Sequence, residues 1–139
     1  IPRTILFIKL GKKLQMHGGG GSVRSFIHIG DVSTATMAIA QKGKPGEAYH
    51  ISSPSHISIK DLVKNICDIM KADFDKLVEV ADERPGKDAA YLLDSGKLRE
   101  ELGWSDRIGL EGGVRQTIKW VEDNIEELKK QSDEYIHKA

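Results

Sequence analysis

Cysteine is almost absent: Cys67 is the only one in 139 residues, so no disulfide can form within the chain. A lone thiol suits a reducing compartment. Charge of one sign is not in excess either. Lys plus Arg number 21, Asp plus Glu number 21, and aromatic residues make up only 6%. Such a chain lacks the positive field that gathers nucleic acid or an anionic membrane, and neither is expected as a partner. Any anion it holds must be met by locally placed groups. No apolar run approaches the roughly 18 residues of a membrane span. The five histidines (His17, His28, His50, His56 and His137) include no i, i+4 pair, and with no second cysteine no metal site is expected. The opening Ile1-Pro2-Arg3-Thr4 is not a signal peptide. It also lacks an initiator Met, so residues 1–139 are expected to be one piece of a longer chain.

What is present reads as globular: 39% hydrophobic and 30% charged, long enough to bury a working core. Pro2 suits the first turn of a helix that ends at Gly11. Residues 14–17 form a short strand, and the run Gly18-Gly19-Gly20-Gly21-Ser22 must be a turn or loop. Residues 24–29 alternate as a strand, with Phe26 and His28 against Ile27 and Ile29. Asp31 is the expected N-cap of a helix through Gln41. Pro45-Gly46 marks a turn, and residues 48–53 read as a strand. Ser58 and Asp61 resemble a capping box ahead of the stripe Leu62, Ile66, Ile69, Met70. A strand at 77–81, a polar loop at 83–88 and an extended piece at 91–93 follow. Asp94 or Ser95 caps a helix carrying Leu98 and Leu102 and stopped by Gly103. The last helix starts at Leu110 and buries Val114, Ile118, Val121, Ile125 and Leu128, and the charged tail beyond it is expected to fray. The class is mixed α/β with few, short strands, which crossovers would make parallel. Those strands look as though they complete a sheet supplied by something else.

Two places could carry chemistry. The glycine run lacks a following helix and a Lys, so it reads as a connecting loop rather than a phosphate cradle. Arg24, just beyond it, either clamps a phosphate bidentately or makes a surface salt bridge. In Arg84-Pro85-Gly86-Lys87, Pro85 and Gly86 stiffen a loop that presents two cations, and the plain alternative is a solvated turn. His28 and His50, inside strands, suit hydrogen-bonded structural roles. Cys67 falls on a helix face that favours burial over nucleophilic work. Lys129 and Lys130 suit a solvated helix face. No complete catalytic set is present.

Several segments in order carry a resemblance. They are residues 11–18 (Gly-Lys-Lys-Leu-Gln-Met-His-Gly), 23–32 (Val-Arg-Ser-Phe-Ile-His-Ile-Gly-Asp-Val), 46–51 (Gly-Glu-Ala-Tyr-His-Ile), 83–88 (Glu-Arg-Pro-Gly-Lys-Asp) and Leu102-Gly103-Trp104. Together they resemble the C-terminal part of extended short-chain dehydrogenases/reductases, the NAD-dependent sugar-nucleotide epimerases and dehydratases. The Arg-Pro-Gly loop ahead of Leu-Gly-Trp is most like the dTDP-glucose 4,6-dehydratases among them. The resemblance implies an α/β, Rossmann-type extended enzyme whose N-terminal Rossmann half, with its glycine-rich NAD loop and Tyr-x-x-x-Lys pair, is missing from this sequence. NAD would be bound by that half, and no cofactor or catalytic residue is expected in residues 1–139. This region would be the sugar-nucleotide-binding part. Arg24 and Arg84 would grip the diphosphate, and Gln15, Met16 and His17 would line base and ribose. His50 and Lys87 would also face substrate, His50 where 4,6-dehydratases usually have Asn and Lys87 where they usually have His. Residues 48–53 would be an edge of the Rossmann sheet. A nucleotide sugar is the implied substrate, and a cytoplasmic homodimer the implied state of the full-length enzyme. A sugar-nucleotide 4-epimerase and a non-catalytic interaction module remain the alternatives.

Overall fold

The computed structural model describes residues 1–83, 85–86 and 88–131. Helix α1 (Pro2–Leu10) starts on Pro2 and ends where Gly11 turns left-handed (φ 63°), its N–H returning to the Phe7 and Ile8 carbonyls. Strand β1 (Leu14–His17) leads into a tight turn at Gly18–Gly20, all three glycines at positive φ. Then come β2 (Val23–Arg24), α2 (Ile29–Lys42), β3 (Ile57–Ser58), α3 (Ile59–Met70), the short α4 (Phe74–Leu77), β4 (Val78–Ala81) and β5 (Ala90–Tyr91). Helices α5 (Gly96–Leu102), α6 (Leu110–Asp123) and α7 (Ile125–Leu128) complete the described chain.

Helix α3 organises the core because it carries two adjacent apolar stripes. Leu62 and Ile66 pack with Ile5 of α1 and with Val114 and Val121 of α6. Val63 and Cys67, one position on, pack with Phe7, Met16 and Leu77. Half of the expected capping box is present: Ser58 Oγ accepts from the Asp61 N–H at 3.0 Å, while the Asp61 carboxylate accepts from the Ser58 hydroxyl at 2.6 Å rather than from its backbone N–H. A third cluster joins Ala35 of α2 to Leu98 of α5 and Trp104. Cys67 is buried, as expected, and Lys129 and Lys130 are exposed and paired with Glu126 and Glu127.

Strands β1 and β4 pair in parallel, while β2 lies between β3, antiparallel, and β5, parallel. The expectation of parallel pairing therefore fails at β2–β3. The expected strand at 24–29 also shrinks to Val23–Arg24, since the described partner strands are two residues long. The alternation beyond it is real but serves packing: Phe26 packs against the α1–α3–α6 cluster and Ile27 against the Leu98–Trp104 cluster. His28 lies in no strand. Its Nδ1 accepts from the Gly30 N–H at 3.1 Å, which makes His28, not Asp31, the N-cap of α2. Asp31 is buried in the first turn instead, accepting from the Arg107 and Ile108 N–H groups at 3.0 and 2.9 Å. Residues 48–53 form no ladder, so His50 is not in a strand either, and it is exposed. Leu77, expected to open the strand at 77–81, instead closes helix α4, which Asp73 caps, and the strand begins at Val78. The last helix breaks at Asn124, and the expected fraying of the tail concerns residues 132–139, which lie outside the described residues.

Candidate functional site

The glycine turn, β2 and the loop after β4 meet in one place. The outgoing limb of that loop is tied at Asp82, whose carbonyl accepts from His17 Nδ1 at 3.0 Å. The next residue, Glu83, lays its carboxylate against Gly18, where even a methyl group would overlap it. The returning limb is tied at residues 88 and 89. The Asp88 carbonyl accepts from Ser22 Oγ at 3.2 Å and from Arg24 Nη2 at 3.0 Å, and the Ala89 carbonyl accepts from the Val23 N–H at 2.8 Å. Both ends of the loop that carries Arg84 and Lys87 are thus fastened to residues 17–24. Arg84 and Lys87 themselves lie outside the described residues.

Arg24 is half-buried, and its two hydrogen bonds both go to carbonyls, those of Val23 at 2.7 Å and Asp88. Among the described residues no carboxylate pairs with it. The two carbonyls use two of its five N–H donors, which suits a guanidinium with donors to spare for an anion.

The remaining residues singled out in the sequence are placed unequally. Gln15 is exposed on β1. Met16 is only 4% exposed and turns its side chain into the core, under Gly20, so that side chain, against expectation, does not face a ligand. His17 is half-buried and tied to the loop. His50 makes no hydrogen bond among the described residues, but Ser52, two positions on, donates from Oγ to Ser25 Oγ at 3.1 Å, beside Arg24. Sequence reasoning missed Tyr91. It is the register partner of Arg24 across the parallel β2–β5 pair and is 58% exposed. It also missed Glu83 as the occupant of the glycine turn. A parallel pairing between strands more than sixty residues apart leaves no local signal that would have found either.

A family model described as GDP-mannose 4,6 dehydratase matches residues 1–117. The chain belongs to this family. The trifunctional UDP-glucose 4,6-dehydratase/UDP-4-keto-6-deoxy-D-glucose 3,5-epimerase/UDP-4-keto-L-rhamnose-reductase of Arabidopsis thaliana is 36% identical over 91% of this chain and 19% of its own length. The dTDP-glucose 4,6-dehydratase of Escherichia coli is 34% identical over 91% of this chain and 38% of its own. Among solved structures, a dTDP-glucose 4,6-dehydratase from Bacillus anthracis in complex with NAD superposes with a TM-score of 0.82 at 28% identity. That match covers 88% of this chain and 39% of that one. The chain therefore spans less than two fifths of the length of these relatives. The resemblance to extended short-chain dehydratases and the mixed α/β class both hold.

Proposed function

We propose that this dehydratase-family chain is the substrate-binding part of an NAD-dependent sugar-nucleotide 4,6-dehydratase of the dTDP-glucose type, and that it holds the nucleotide diphosphate. The observation that carries this reading is the double fastening of the loop at residues 83–88 onto the segment that bears Arg24. It holds both ends of the loop that carries Arg84 to the segment that carries Arg24, and two guanidinium groups reaching one pyrophosphate would neutralise it. His17 borders the same loop, Gln15 is exposed just before it on β1, and these two would meet base and ribose, with Met16 supporting them from the core. Lys87 and His50 would reach toward the sugar, and Tyr91 adds an aromatic face beside Arg24.

NAD, when bound to such an enzyme, takes and returns the hydride at the sugar's C4. The residues present here do not fit NAD. The glycine turn at Gly18–Gly20 is followed by strand β2, whereas a dinucleotide loop must open a helix whose N-terminus meets the pyrophosphate. No step of that chemistry is assigned to this chain. The main-chain groups of residues 48–53 make no main-chain hydrogen bond among the described residues, which suits a strand awaiting the edge of another sheet. A cytoplasmic homodimer accompanies the proposal, on the family resemblance and the single, buried cysteine. Among the described residues no helix is long and apolar enough to cross a membrane.

Calorimetric titration with UDP and dTDP tests the reading. Saturable binding is expected, and Arg24→Ala or Arg84→Ala should each weaken it about 10- to 100-fold, the worth of a charge-assisted hydrogen-bond set. Binding that survives both substitutions overturns the diphosphate site. No binding at all favours an interaction module.

A further inference from the structure

We propose that Arg99 is a positioning residue for the diphosphate site, acting through Ser52 and Ser25 on Arg24; this rests on the function proposed above. Arg99 lies on α5 and touches none of the residues assigned to substrate. Its guanidinium sits over the Trp104 ring, 4.9 Å from the centroid. Nε donates to Ser95 Oγ at 2.9 Å, and Nη2 donates to the Ser52 carbonyl at 3.0 Å and to Asp106 Oδ1 at 2.7 Å. Ser95 Oγ donates to the same Ser52 carbonyl at 3.0 Å. Ser52 Oγ then reaches Ser25 Oγ, and Ser25 Oγ donates to the Ser53 carbonyl at 2.8 Å.

Three features separate this cluster from an ordinary ion pair. First, Ser52, Ser53 and Ser95 are all buried and Arg99 and Asp106 are mostly so, which makes these bonds stronger than surface ones and costly to leave unmade. Second, residues 48–53 have no strand partner among the described residues. Tyr49 and Ile51 pack against the Leu98–Trp104 cluster, but the polar hold at Ser52 and Ser53 comes from these side-chain bonds, and among the described residues Arg99 supplies the one charged bond at Ser52. Third, the cluster ends at Ser25, the neighbour of Arg24, and is two residues from His50. A buried polar network where apolar side chains would pack as well fixes geometry more than it adds stability. The geometry it fixes is the aim of Arg24.

A double-mutant cycle tests this, using UDP affinity of the full chain under conditions where circular dichroism shows each variant folded. Arg99→Met should weaken UDP about tenfold, as losses of supporting-shell contacts do. The Arg24→Ala/Arg99→Met double variant should bind no more weakly than Arg24→Ala alone, because Arg99 has nothing left to aim. Ser25→Ala, which cuts the relay with almost no change in volume, should reproduce the loss and serves in place of Arg99→Met if that variant does not fold. Penalties that simply multiply in the double variant, or an Arg99→Met or Ser25→Ala variant that binds like wild type, overturn the role of Arg99 alone. A wild-type chain that binds neither UDP nor dTDP overturns the diphosphate site and this inference together.

Discussion

Replacing the three turn glycines one at a time separates the backbone's demands from those of the site. Gly18, Gly19 and Gly20 have φ of 56°, 63° and 73°, so an alanine at any of them enters the left-handed region. That costs about 1–2 kcal/mol, partly offset by the stiffer unfolded chain. Gly19→Ala meets no atom within 4 Å, so its net cost should be about 1 kcal/mol. For a domain of this size that is roughly a 3–5 °C fall in Tm. Gly20→Ala would place its methyl 2.5 Å from Met16 Sδ and 2.9 Å from the Lys60 backbone nitrogen. Neither can retreat easily, since Met16 is core and Lys60 is in the first turn of α3. Overpacking adds about 1–3 kcal/mol, for a total of about 2–4 kcal/mol. Gly18→Ala collides only with the Glu83 carboxylate, which can swing away. Its stability should match Gly19→Ala, but the loop at 83–88 loses one of its fastenings. UDP affinity should then fall about tenfold, or 1.4 kcal/mol, in Gly18→Ala and hardly at all in Gly19→Ala. Urea melts and calorimetry on the three variants give both readings. A Gly20→Ala protein as stable as Gly19→Ala, or a Gly18→Ala protein that binds UDP as Gly19→Ala does, would refute the reasoning.

Two further outcomes follow from single groups. Partial burial pushes the Asp106 carboxyl up, but the Arg99 guanidinium and its hydrogen bond outweigh that and hold it below its ordinary value of 3.8. The folded state thus has the lower pKa, so the pair's stabilisation is complete above that value and is lost as pH falls below it. Wild type should lose more stability than Asp106→Asn between about pH 5 and about pH 3 in urea melts, and parallel acid profiles would contradict the pair's contribution. Burial, with smaller help from Asp68 and Asp73, pushes the Cys67 thiol above its ordinary 9.0. A disulfide reagent at about pH 8 should leave the folded protein unlabelled and take up one equivalent on unfolding, and labelling of the native state at the unfolded rate would contradict the burial.

The helices were legible because their signals are local. Ser58 and Asp61 open α3, Gly11 and Gly103 close α1 and α5, and the stripes of α3 and α6 name their own buried faces. Arg24 and Arg84 were also legible as cations beside turns. The sequence could not say what each extended segment would pair with, because a strand exists only through a remote partner. Of the alternation at 24–29, therefore, only Arg24 entered a ladder, Phe26 and Ile27 went into packing and His28 capped α2, while residues 48–53 found no strand partner among the described residues. Local chemistry likewise nominated Asp31 as a cap, but two N–H groups from residues 107 and 108 claimed it for the interior. Met16 went to the core and Tyr91 came to the side of Arg24 through pairings whose two strands lie far apart in the chain. The amino-acid order set which residues could bind an anion. The bonds between residues 22–24 and 88–91 decided that the end of the 83–88 loop lies against Arg24, because only closure of the chain across that distance brings the two segments within reach.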